Sequence, residues 1–176
     1  MRLLLDQGFP SPPGFAPEAV DRTIEVVALR DLDPALTGAP DWYVYLRAHE
    51  AGFDALVTRA WHAAPHSEEL WTLVRTHLSV VTWARPLDDP VRAWGQLLAY
   101  VPEIRRVLAE QGPSIVRLPA PRLARSMLMP ASEAFADLAA DRGVADRQLR
   151  EEARAGVYRD LAAWGERERF DALLRG

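Results

Sequence analysis

Several carboxylates stand directly after short apolar runs, where chemistry is easiest to place. Asp6 follows Leu3–Leu5, Asp31 and Asp33 follow Ile24–Leu29, and Asp41 opens an amphipathic stretch. Arg59, Ala60, Trp61 and His62 follow Ala55–Thr58, and Asp88 and Asp89 lie a few residues past Ser79–Trp83. Carboxylates gathered on one rim repel each other unless a cation neutralises them. An oxygen-rich donor set suits Mg²⁺ or Mn²⁺, which keep bound water and bridge to phosphate oxygens. Such a centre hydrolyses phosphodiesters by activating water and stabilising the leaving oxygen.

Each of these residues also has a plain structural reading. Asp6 can simply end a strand, and Asp41 suits a helix start through the helix dipole. Asp31 and Asp33, beside Pro34, are ordinary turn residues, and Asp88-Asp89-Pro90 is a helix-capping signature. Arg59 either holds a phosphate or pairs with a rim carboxylate. His62 and His66 are four apart, but the intervening Pro65 makes a helical metal pair a poor reading. Trp42, Trp71 and Trp94 fall within amphipathic stretches, where packing explains them. Trp61 follows a strand instead, where it stacks on a base or plugs a pocket.

The elements that must position these residues alternate. Leu3–Leu5, Ile24–Leu29, Ala55–Thr58, Ser79–Trp83 and Ser114–Leu118 read as five short strands. Between them, helices are expected over 41–51, 65–77 and 88–111, with a kink or break at Pro102 and a loop over 30–40. Short apolar strands separated by amphipathic helices form βαβ units, hence an α/β fold with a parallel sheet covered on both faces. In such sheets ligands bind beyond the carboxyl ends of the strands, where the acids fall. After Pro121 the pattern changes: 122–129 is indeterminate, and 131–175 reads as two helices split near Gly143. The expected organisation is a domain over 1–122 and a C-terminal helical extension over 123–176.

Composition narrows the classes. The 176 residues contain no cysteine, which excludes disulfide scaffolds, thiol nucleophiles and Cys-type zinc sites. No segment is apolar enough to span a bilayer and the N-terminus does not read as a signal peptide, so a cytoplasmic protein is expected. All 21 basic residues are arginine, which a GC-rich genome explains, and the net charge is −4. Residues 1–58 carry four arginines against nine acids, whereas 111–132 carry Arg117, Arg122 and Arg125 with no acid. An acidic half is unlike a general nucleic-acid binder, but it is compatible with a carboxylate-lined metal site and a separate phosphate-contacting edge.

The opening Met1-Arg2-Leu3-Leu4-Leu5-Asp6 resembles the first strand of the short PIN-like domains, a subset of the PIN nuclease superfamily that includes VapC-type toxins. Leu29-Arg30-Asp31, Pro40-Asp41-Trp42 and Leu56-Val57-Thr58-Arg59 are similar to that family's second strand, acidic helix start and third strand end. Leu97–Ile104 and Pro113–Leu118 resemble its closing helix and strand, so the ordered similarity covers about residues 1–120. The resemblance implies a three-layer α/β/α fold with about five parallel strands, and a carboxylate pocket that binds Mg²⁺ or Mn²⁺ and cuts RNA. Asp6 is then the first metal ligand and Asp41 the second. Where relatives continue Thr-Arg with Asp, this chain has Ala60, so Asp88 or Asp89 is the expected replacement. Arg59, Trp61, Arg117, Arg122 and Arg125 are the expected RNA contacts. The expected partners are RNA, a small antitoxin protein and a second copy of the chain through the C-terminal helices. The alternative is a degenerate PIN-like domain acting as a protein- or RNA-interaction module.

Overall fold

A computed structural model describes residues 1–9, 21–59, 65–84, 89–119 and 127–174. Strands β1 (Arg2–Leu5), β2 (Glu25–Ala28), β3 (Ala55–Val57), β4 (Ser79–Trp83), β5 (Ser114–Leu118) and β6 (Met127–Pro130) form one sheet in the order β2-β1-β3-β4-β5-β6. The first five are parallel and β6 runs antiparallel to β5. Beyond Arg2, β1 and β3 are wholly apolar, and β4 (SVVTW) is buried throughout, because both faces of these central strands are covered. Helices α1 (Leu29–Leu32), α2 (Asp41–Glu50), α3 (Ser67–Arg75), α4 (Pro90–Gln111), α5 (Ala131–Asp141), α6 (Asp146–Ala163) and α7 (Arg167–Leu174) complete the described residues. No helix among them is long and apolar enough to cross a membrane.

Alternate residues of each strand feed two cores, as the period of two demands. Leu4, Leu56, Val80 and Ile115 point to the face carrying α2, α3, α5, α6 and α7, with Tyr45, Leu70, Phe135, Val157 and Phe170 among the residues buried there. Leu3, Leu5, Val57, Val81 and Val116 point to the opposite face, against Trp94, Leu97 and Ile104 of α4. The result is a three-layer α/β/α arrangement.

Four details depart from the sequence expectation. Residues 30–40, expected as loop, contain the single turn of α1 and a 3₁₀ turn at Pro34–Leu36. Helix α4 continues through Pro102 without interruption. The indeterminate stretch ends in β6, whose antiparallel pairing covers the outer edge of β5, and proline is tolerated at its end because it is an edge strand. The tail forms three helices, not two. Gly165, at φ +73°, ends α6 in a Schellman turn, with Glu166 N–H bonded to Leu161 C=O at 2.9 Å and Gly165 N–H to Ala162 C=O at 3.2 Å. These helices pack on the sheet: Phe135, Leu149, Val157, Leu161 and Phe170 share one core with Leu4 and Leu46.

Candidate functional site

The sheet order reverses at β1, with β2 on one side and β3 on the other, and a parallel sheet leaves its ligand crevice at such a switch point. Asp6 and Thr58 are the first residues beyond β1 and β3 at that crevice. Their backbone N–H groups extend the ladder by one bond each, Asp6 to Val57 C=O and Thr58 to Val81 C=O, both at 3.0 Å. Thr58 Oγ1 donates to Asp6 Oδ2 at 2.9 Å, and the Gln7 backbone N–H donates to Asp6 Oδ1 at 2.7 Å. The loop that follows is pinned from two sides. Arg59 Nε donates to Gly8 C=O at 2.7 Å, and Phe9 packs edge-on against Trp94 with ring centroids 5.0 Å apart.

Helices α2 and α3 each run back from the same edge, so their N-termini return acids to it. Asp41 is the first residue of α2. Glu69 lies in the first turn of α3, is almost completely buried, and accepts a hydrogen bond from the His66 backbone N–H. Burial, and then the Asp41 carboxylate, push the Glu69 carboxyl up to about 8. At neutral pH it is therefore mostly protonated. Between these helices and the sheet lies Tyr45, wholly buried, whose phenol is pushed up by burial and then by Glu69, Asp41 and Asp6.

An open cleft of about 420 Å³ runs past Asp41 and Glu69 and is also lined by His66, Glu68 and Asp160. Asp160 comes from α6, and a Cβ on its neighbour Gly156 would stand 3.2 Å from Glu68 Oε1. The C-terminal helices therefore form one wall of this cleft. Glu69 does not stand out in the sequence, because it follows no strand directly and reads as an ordinary helix-start acid. The available signal was the pair Glu68-Glu69 opening the helix after β3.

The remaining candidates are dispersed. Asp89 caps α4, accepting from the N–H groups of Val91 (2.9 Å) and Arg92 (3.2 Å), which is the structural role its place before Pro90 allows. Asp33 caps the 3₁₀ turn through Ala35 N–H at 2.9 Å and pairs with Arg47 at 3.7 Å, and Asp31 lies 3.9 Å from Arg30. Arg117 is half-buried on β5, separated from β3 by β4. Ala60, Trp61, His62, Asp88, Arg122 and Arg125 lie outside the described residues.

The donors around Tyr45 suit a hard divalent cation in kind. A buried acid kept protonated by desolvation and a neighbouring carboxylate is one that a bound cation would ionise. Among the described residues, however, no three such side chains already stand close enough together to hold a metal ion. No protein-family profile, curated protein or solved structure matches the chain.

Proposed function

We propose that this chain is a divalent-metal-dependent endoribonuclease of PIN-like type, acting as the toxin of a toxin–antitoxin pair. The observation that supports the reading best is the placement of Asp6 just beyond β1 and of Asp41 and Glu69 in the first turns of α2 and α3, at the carboxyl edge of a parallel sheet. In this reading Glu69 takes the part that Ala60 cannot fill. Were Asp6, Asp41 and Glu69 drawn together on one Mg²⁺ or Mn²⁺, the ion would supply Lewis-acid activation of water and charge neutralisation at the scissile phosphate. Thr58 and the Gln7 N–H orient the Asp6 carboxylate. Arg59, tethered to Gly8, contacts an RNA phosphate beside it. A cation bound there would ionise Glu69, whose carboxyl is otherwise held up by burial and Asp41, so metal affinity would rise with pH. A small antitoxin protein and self-association through the C-terminal helices belong to the same proposal.

The test is cleavage of single-stranded RNA in Mn²⁺ by the full chain, alongside Asp6→Asn and Glu69→Gln. A loss of 100-fold or more in both variants is expected, as an order of magnitude for metal ligands and their supports. Equal cleavage by Asp6→Asn, or none by the wild type at high protein and metal, overturns the proposal.

One observation favours a second reading, a degenerate PIN-like module that binds RNA or protein without cutting. Both Asp6 oxygens already accept hydrogen bonds, and no three donors converge among the described residues. Calorimetric titration with Mn²⁺ separates the two: no heat together with retained RNA binding supports the module.

A further inference from the structure

Trp164 is one of two large hydrophobic residues exposed among the described residues, with 46% of its surface accessible. It is nevertheless held rigidly. One face stacks on the buried Trp42, with ring centroids 5.3 Å apart and planes 6° apart, and Tyr43 packs edge-on against it at 4.9 Å. The Schellman turn at Gly165 sets its position at the end of α6. The indole lines a groove of about 450 Å³ together with Thr37, Gly38, Pro40, Tyr43 and Glu166. Ala39 and Pro40 line both this groove and the cleft that holds Asp41 and Glu69, so the two are adjacent.

We infer that the outer face of Trp164 is a stacking platform for one nucleobase of a single-stranded RNA whose backbone passes the Asp41–Glu69 cleft. This rests on the ribonuclease reading and specifies how that site holds its substrate. A flat aromatic surface already fixed by a second indole loses little freedom on stacking a third ring, and unpaired bases offer such faces where paired ones do not. Glu166, which already accepts from Tyr43 at 3.4 Å and from Arg169 at 3.2 Å, fixes the groove wall beside the indole, and Thr37 is the neighbouring hydroxyl that could meet a base edge. Arginine takes no part in lining the groove, so its contribution comes from stacking and base-edge contacts, not from phosphate neutralisation.

The experiment measures binding of a fluorescein-labelled single-stranded RNA by anisotropy, with an oligomer of equal length lacking bases as comparison. Measurements with wild type, Trp164→Ala and Trp164→Phe are made in EDTA and in Ca²⁺, each at two salt concentrations. The intact RNA is expected to bind wild type about 10-fold more tightly than it binds Trp164→Ala, the scale of one lost stack. Trp164→Phe should recover most of that difference, and the wild type should bind the abasic oligomer no better than Trp164→Ala does. The difference between wild type and Trp164→Ala should not change with salt. Equal binding of intact and abasic oligomers by wild type, which involves no variant and no folding question, overturns the platform while leaving the nuclease reading standing. Failure of wild type to bind or cut RNA at all overturns both.

Discussion

Thr58 Oγ1 donates a 2.9 Å hydrogen bond to Asp6 Oδ2, joining the residues that immediately follow β3 and β1. Thr58 is almost fully buried, so its hydroxyl has little access to water as an alternative partner. Thr58→Val keeps the shape and removes the donor. A stability loss of about 1.5–3 kcal/mol in urea unfolding is expected, the range for a hydrogen bond to a charged group. In a double-mutant cycle with Asp6→Asn the two changes should couple, and strictly additive effects would count against the bond.

Glu69 produces a pH dependence of defined sign. Its carboxyl is at about 8 in the folded chain against the ordinary 4.5, so between those values the folded state binds more protons than the unfolded. Stability therefore falls as pH rises from about 4.5 to 8 and levels off beyond. Glu69→Gln imitates the protonated acid. It should be the more stable protein at pH 8, by roughly 1–3 kcal/mol, with the advantage vanishing near pH 5. Melting temperatures of both proteins across pH 5 to 9 measure this.

His49 and His77 supply the opposite slope. Their rings lie 5.4 Å apart, and His49 Nδ1 accepts the His77 backbone N–H at 3.2 Å. Burial, and then His77, hold the His49 imidazole below its ordinary 6.5. The unfolded chain then takes up the proton first, so stability is lost as pH falls below about 6.5. His49→Asn offers an acceptor without a titration and should flatten the acid limb of the melting profile. An unchanged limb would assign the loss to other groups.

The C-terminal helices are expected to be required for folding. Phe135 is fully buried and lies in the same core as Leu46 and Leu70. Phe135→Ala should cost about 3–5 kcal/mol. A chain ending at Pro130 should lose its cooperative thermal transition, since it would expose the face of α3 that α5 and α6 cover. A sharp transition at unchanged temperature would show that residues 1–130 fold alone.

Local pattern was enough to read the layered α/β fold in the chain. Leu3–Leu5, Ser79–Trp83 and Ser114–Leu118 announce buried parallel strands because backbone hydrogen bonding and two covered faces leave little choice of residue. Asp6 and Asp41 were legible as edge residues for the same reason, since strand ends and helix starts in βαβ units share one side of the sheet. What pattern could not supply was proximity. β6 (MLMP) shows no alternation in sequence and is defined by its antiparallel pairing with β5. Glu69 looks like an ordinary helix-start acid until burial and Asp41 raise it to about 8. Trp164 is fixed as a half-exposed ring at the end of α6 by its stack on Trp42, a residue far away in the chain. Burial, electrostatic coupling and stacking depend on distances between residues far apart in the chain, and those distances come into being only when the helices dock on the sheet.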